Sequence, residues 1–317
     1  MTDNRAPQII GTDALPRAVE ALQDGAIVAL PTETVYGLAA RADRDEAVAA
    51  IYRAKGRPDF NPLIVHVPDV AAAQALAQVD ARALALADAF WPGPLTMVLP
   101  RRADSGLAAA VTAGLPTVAI RCPAHPVMRA VLEQSGLPLA APSANRSGGV
   151  SPTTAQHVAA SLGERVGLIV DGGECRAGIE STIVALREDG GWQILRPGPI
   201  TAADLAKVLG QGGGSTAASG APIEAPGQMT SHYAPGKPVR LNAPEALSGE
   251  FWITFGDVEG DYALSRSGDL AEAAARLYAA LHAAAAAPQA HIAIAPIPDE
   301  GIGAAINDRL RRAAAPV

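Results

Sequence analysis

The sequence predicts an α/β fold, a twisted mixed sheet with helices around it, followed by a second, smaller α/β unit. Three observations predict this. Strand-like and helix-like runs alternate through the first two-thirds of the 317 residues. Several strand-like runs follow one another with no helix between them, so the sheet is expected to be mixed rather than purely parallel. A glycine- and serine-dense stretch, residues 210–222, then precedes a shorter region that repeats the alternation.

The elements read in order as follows. Residues 25–30 form an apolar strand that stops at Pro31. Residues 45–53 read as a helix, apolar at Ala47, Val48, Ile51 and Tyr52. A strand over 63–67 and helices over 70–78 and 81–90 follow, then strand candidates over 95–99, 117–121 and 137–141. A helix over 154–162 precedes strands over 168–170, 181–186 and 193–195, and a helix over 202–209 closes the first region. Residues 210–222 cannot support a packed element and read as a linker or exposed loop, and "APGQMTSHYAPGKP" (225–238), with three prolines, is more extended. In the last region 251–255 and 291–295 read as strands, and 270–287 and 302–314 as helices. "GIGAAI" (301–306) only half matches a dinucleotide fingerprint and has no room for a following βαβ unit, so it reads as a helix start.

Composition narrows the function classes. Hydrophobic residues make up 49% and charged ones 18%, enough for two buried cores. The net charge of −7 argues against a broad nucleic-acid footprint but permits a local basic pocket. Lysine occurs only at 55, 207 and 237, so a lysine inside a motif stands out. Cys122 and Cys175 form no CxxC pair and are expected to be inert core thiols. The N-terminus lacks an apolar signal region, and no charge-free run reaches the ~18 residues of a membrane span, so a cytoplasmic protein without membrane contact is expected. There is no P-loop, no nucleophile elbow and no His/Cys spacing for structural zinc, and no protein metal site is expected.

Polar groups gather where apolar strands end. Thr32, Glu33, Thr34 and Tyr36 follow the first strand. A helix cap is the ordinary reading of such a threonine, but two threonines and a glutamate leave polar groups to spare. Arg53, Lys55 and Arg57 place cations around the bend at Gly56 and Pro58, and the strand leaving it carries His66. An arginine fork beside a lysine suits phosphate, whereas cations also simply favour helix C-termini. "APSANRSGG" (141–149) offers Ser143, Asn145 and Ser147, "GIESTIVAL" (178–186) offers Ser181 and Thr182, and Arg121 and Arg196 end strands of their own. The repeated pattern suits a pocket for an anionic, hydroxyl-bearing ligand at the carboxyl ends of strands.

Taken in order, "LPTETVYGL", "KGRP" with "NPLIVHV", "PSANRSGG", "ESTIV" and "LRPG" resemble the threonylcarbamoyl-AMP synthases, and the match spans about residues 15 to 210. The stretch "APGQMTSHYAP" and the small C-terminal region resemble the long form of that family, though a lysine and an aromatic usual before the His-Tyr pair are missing. The resemblance implies a YrdC-like catalytic domain over 1–210 with a concave, positively lined cavity, a linker over 211–238 that crosses it, and a small Rossmann-like α/β domain over 239–317. It implies synthesis of threonylcarbamoyl-AMP and pyrophosphate from L-threonine, bicarbonate or CO2, and ATP with Mg2+, for threonylcarbamoyladenosine in tRNA.

Carried over by motif, Thr34, His66, Arg121, Ala141 (through its backbone) and Ser181 are expected to form the threonine site. Lys55, Arg57, Asn61, Thr117, Ser143, Ser151 and Arg196 are expected at the ATP site, with Lys55 and Arg57 as catalytic cations and Tyr233 of the linker on the nucleotide. Thr32 and Glu33 are expected to shape the turn. The product is expected to pass to a downstream threonylcarbamoyl transferase complex, without stable binding of tRNA by this chain. Two other readings remain open at this point: a double-stranded RNA or tRNA binding module, which the acidic balance opposes, and a carbamoyl-transfer enzyme, which the lack of zinc-finger or acylphosphatase-like sequence opposes.

Overall fold

The computed structural model describes residues 6–210, 213, 224–228 and 232–315. The large unit contains β1 (Gln8–Ile10), α1 (Leu15–Gln23), β2 (Val28–Leu30), β3 (Gly37–Arg41), α2 (Asp45–Lys55), β4 (Ile64–His66), α3 (Val70–Leu76), α4 (Ala81–Phe90) and β5 (Leu95–Pro100). It continues with α5 (Ala109–Thr112), β6 (Thr117–Arg121), α6 (Pro126–Ser135), β7 (Leu139–Ala140), α7 (Ala155–Leu162), β8 (Leu168–Val170), β9 (Thr182–Leu186), β10 (Trp192–Arg196) and α8 (Ala202–Leu209). The smaller unit has β11 (Val239–Arg240), β12 (Glu250–Thr254), β13 (Tyr262–Ala263), α9 (Leu270–Ala286), β14 (His291–Ile294) and α10 (Gly303–Ala313).

The ten strands of the first sheet run in the order β1-β8-β2-β3-β7-β4-β6-β5-β9-β10. Parallel pairs such as β4 with β6 alternate with antiparallel ones such as β4 with β7, so the sheet is mixed, as expected. The second sheet, β11-β14-β12-β13, is parallel throughout. Local chemistry sets the helix ends. Asp69, Asp80, Thr154 and Asp269 cap α3, α4, α7 and α9 through their side chains, and Thr201 and Asp204 form a reciprocal capping box on α8. Gly56 ends α2 in the left-handed region at φ 60°, which turns the chain toward β4.

The sequence reading did not assign β1, α1, β3, α5, α6, β11 or β13. β3 is Gly-Leu-Ala-Ala-Arg, with no β-branched residue to mark a strand, and it exists because it pairs on both sides with β2 and β7. α1 and α6 carry proline in their first turn, where the missing N–H is harmless. They pack on each other through Ala18, Val19, Leu22, Val127, Val131 and Leu132. Most of the stretch 210–222, and Met229, Thr230 and Ser231 of the proline-rich stretch, lie outside the described residues.

The hydrophobic cluster of the smaller unit does not stop at that unit. Val35, Val150, Ile179 and Tyr233 pack with Leu277, Tyr278, Leu281 and Ile306. Gly178 lies so close to α9 that an added Cβ would meet the Ala275 carbonyl oxygen at 2.3 Å. No helix among the described residues is long and apolar enough to cross a membrane.

Candidate functional site

The antiparallel pairing of β2 and β3 is closed by the turn at 31–36, and one hydroxyl builds it. Thr32 Oγ1 donates to the Val35 carbonyl at 2.6 Å and accepts from the backbone N–H groups of Thr34 and Val35. No helix follows, so this threonine organises a turn rather than a helix cap. Its single proton is thereby used, so the 2.8 Å contact with Thr34 is a bond that Thr34 donates. Thr34 in turn accepts from Arg121 Nη1 at 2.9 Å. Arg121 arrives from the end of β6, aligned with His66 on β4.

Glu33 does more than shape this turn. Its carboxylate pairs with Arg121 Nη2 at 2.5 Å and accepts from the Ala124 N–H. Burial pushes the Glu33 carboxyl up, but the Arg121 charge and hydrogen bond outweigh it, and the net shift is downward. The signal was present in sequence as a glutamate between two threonines. Its partner lies 88 residues away.

One cavity gathers most of the expected residues: Thr34, Arg57, His66, Arg121, Ala141, Ser143, Ser181, Arg196 and Tyr233. Thr32, Glu180, Pro226, Gly227 and His232 share its wall. Segment 224–228 lies over the sheet, with Ala225 packed on Ile64, Ala119, Ile183 and Leu195. His232 and Tyr233 reach the same cavity, held where the Ala234 N–H donates to the Gly148 carbonyl and the His232 N–H to the Arg312 carbonyl.

Four expected residues do not line it. Lys55 is buried behind the wall, and its ammonium donates to the carbonyls of Ser143 and Asn145, each at 2.5 Å. Burial and then the Arg57 charge push its pKa down. Lys55 therefore holds the 143–145 loop in this structure. Ser151 gives its hydroxyl to Glu180 at 2.6 Å. The Asn61 carbonyl accepts from Arg57 Nε, and Thr117 sits at the opposite end of β6 from Arg121.

Electrostatics divides the cavity into two ends. Arg121 is balanced by Glu33, but Arg57 and Arg196 are not balanced in this way. Arg57 donates to the carbonyls of Asn61 and Pro62. Arg196 donates to the carbonyl and hydroxyl of Ser181. Among the described residues neither makes a salt bridge to a carboxylate. Burial lowers both, Arg57 to about 10, which leaves it charged at neutral pH. Two guanidinium groups, Arg196 buried and Arg57 half-buried, held only by neutral acceptors among the described residues, form a site for an anion. At the other end His66 is neutral, its pKa brought to about 3 by burial and then by Arg121, and its buried Nδ1 has no hydrogen-bond partner.

Sequence reasoning missed Glu180. It is a lone carboxylate between Ile179 and the Ser181-Thr182 pair, buried, and it accepts from Ser151, Tyr278 and Arg309. The two cysteines are buried as expected. Cys122 donates to the Pro68 carbonyl, and burial raises both thiols away from reactivity. Among the described residues no group of three or more His, Cys, Asp or Glu could hold a metal ion.

Comparison with known proteins matches this architecture. A family model described as "Telomere recombination" covers residues 20–198, and one described as "Threonylcarbamoyl-AMP synthase, C-terminal domain" covers 200–315. The threonylcarbamoyl-AMP synthase of Bacillus subtilis is 41% identical over 95% of this chain and 92% of that protein. That of Pyrococcus abyssi is 38% identical over 92% of this chain and 91% of its own. The crystal structure of P. abyssi Sua5 complexed with L-threonine superposes with a TM-score of 0.88 at 34% identity, covering 97% of each chain. With both regions matched and the cavity built from the five motifs, the chain belongs to the threonylcarbamoyl-AMP synthase family.

Proposed function

We propose that this chain is an L-threonylcarbamoyladenylate synthase, a nucleotidyltransferase that makes threonylcarbamoyl-AMP and pyrophosphate from L-threonine, bicarbonate or CO2, and ATP, at the start of t6A synthesis on tRNA. The observation that carries the reading is the division of one cavity into a polar end around Thr34, His66 and Arg121 and an anion end around Arg57 and Arg196. At the first end Thr34, His66, Arg121 and Ser181 take the amino acid. Thr34 gives its proton to Thr32, so toward the cavity it offers an acceptor, which suits an ammonium or hydroxyl donor. Arg121 keeps N–H groups beyond those used on Glu33, Thr34 and Gly93, and these clamp the carboxylate.

The amine condenses with bicarbonate to a carbamate, losing water. A carbamate oxygen then attacks the α-phosphorus, and the bond from that phosphorus to the oxygen bridging the α- and β-phosphates breaks, so that the β- and γ-phosphates leave as pyrophosphate. This asks little covalent work of side chains. It asks for positioning, exclusion of water and neutralisation of phosphate charge. Arg57, Arg196 and Ser143 supply the last, with Tyr233 against the nucleotide. Lys55 acts through the 143–145 loop that its ammonium holds.

Magnesium would fit on the triphosphate rather than in a protein cage, because Glu180 on the cavity wall is taken by Arg309 and Glu33 by Arg121. Bound there it shares phosphate charge. On this reading residues 1–210 are the catalytic domain, 211–238 a linker whose Pro226, Gly227, His232 and Tyr233 line the cavity, and 239–317 a small C-terminal domain. The unstable product passes to a downstream transferase, and the net charge of −7 gives tRNA no broad surface to bind. The test is pyrophosphate release from ATP with threonine and bicarbonate added or omitted in turn. Release that needs both is the expected result, and turnover indifferent to threonine rejects the reading.

A further inference from the structure

Glu180 receives three donors from three separate elements. Ser151 Oγ reaches it at 2.6 Å from the large unit, Tyr278 Oη at 2.8 Å from α9, and Arg309 Nε at 3.0 Å from α10. Arg309 is fully buried, on the apolar face of α10 between Ile306 and Leu310. Its guanidinium also lies 5.5 Å from the centre of the Tyr233 ring, and the Tyr278 ring lies 5.5 Å from that of Tyr233. Glu180 and Tyr233 are cavity wall. The next residue, Ser181, provides the carbonyl and hydroxyl that hold Arg196.

A buried ion pair contributes little to stability compared with well-packed apolar groups. Arg309 and Glu180 therefore call for a role in orientation. The contacts run in one direction, from two helices of the smaller unit to the anion end of the cavity. We infer that Arg309 and Tyr278 are positioning residues for nucleotide binding: they clamp Glu180 and Tyr233 from behind and, through Ser181, aim Arg196 into the cavity. The C-terminal helices are then part of the active site. This inference rests on the proposed synthase activity.

Arg309→Met alone strands Glu180 as a buried unpaired charge, which unfolding relieves. The test therefore uses Tyr278→Phe and the double variant Glu180→Gln/Arg309→Met in the full chain. Thermal melting checks folding, and pyrophosphate release gives KM for ATP and threonine separately. Expected are melting temperatures near wild type, a KM for ATP raised about tenfold and a KM for threonine within about threefold. Arg309→Lys, which keeps the charge, falls between wild type and the double variant. Folded variants with wild-type KM for ATP, or with both KM values raised together, overturn the inference. Equilibrium binding of a non-hydrolysable ATP analogue to the same proteins reads the clamp without turnover. If the wild type releases no pyrophosphate, the synthase reading fails, while analogue binding weakened in the variants upholds the clamp and unchanged binding removes it.

Discussion

Arg121 joins Glu33 through one guanidinium nitrogen and Thr34 through another, so that adjacent residues of one turn fix an arginine that arrives from β6. This makes Thr34 the link between the turn and the clamp. Thr34→Val keeps the shape and removes the oxygen. The KM for threonine is expected to rise about tenfold, as for loss of a hydrogen bond to a charged group, with the KM for ATP changed by less than about threefold. Initial rates of pyrophosphate release against each substrate measure both. Equal rises reject the role.

The two unpaired guanidinium groups give the opposite pattern. Arg57→Ala and Arg196→Ala each remove a charged donor from the anion end, and each is expected to raise the KM for ATP about 10- to 100-fold. The circular dichroism spectrum of each variant is expected to stay native. Arg57 is only half-buried whereas Arg196 is buried, so removing Arg57 opens a path for water to the carbonyls it held and its variant is expected to be the more stable of the two. Unchanged ATP kinetics in both variants sinks the phosphate assignment.

The sheet and most of the cavity were legible in sequence because their signals are local. Apolar runs end in hydroxyls or arginines, and those ends converge, since β4 and β6 are parallel and in register at His66 and Arg121. The rest was illegible for want of local cause. β3 is a strand through its two neighbours, not through its alanines. Glu33 and Glu180 are decided by Arg121 and Arg309, 88 and 129 residues away. Lys55 stands out in a chain with so few lysines, but nothing in its neighbourhood says that its ammonium turns onto the Ser143 and Asn145 carbonyls.

Buried His66 makes stability depend on pH. In the folded protein it stays neutral down to about pH 3, whereas in the unfolded chain it protonates near 6.5. Between these values the unfolded state binds the extra proton, so stability is full above pH 6.5 and is lost as pH falls toward 3. From pH 6.5 to 5.5, before the glutamates of the unfolded chain, whose ordinary value is 4.5, take up protons appreciably, this one group accounts for about 1 kcal/mol. His66→Gln is expected to lose about that much less than wild type over the same interval in urea denaturation. His232, also lowered to about 3 by burial, leaves a remaining slope in both proteins. Parallel pH profiles would show that His66 is charged or exposed in the native state.

Gly227 tests whether the segment over the cavity sets the anion end. Its φ is +84°, and an added Cβ would stand 2.7 Å from Arg196 Cδ, 3.3 Å from its Nη1 and 3.5 Å from Tyr233 Oη. Alanine there has two effects, strain in a left-handed backbone of roughly 1–2 kcal/mol and a push on Arg196. Gly190 separates them, because its φ is +90° and an added Cβ would meet nothing within 4 Å. Gly190→Ala is expected to lower the melting temperature with no change in either KM. Gly227→Ala is expected to raise the KM for ATP about tenfold and leave that for threonine within about threefold, because the displaced guanidinium faces the anion end. If the two variants behave alike, segment 224–228 lies over the site without shaping it.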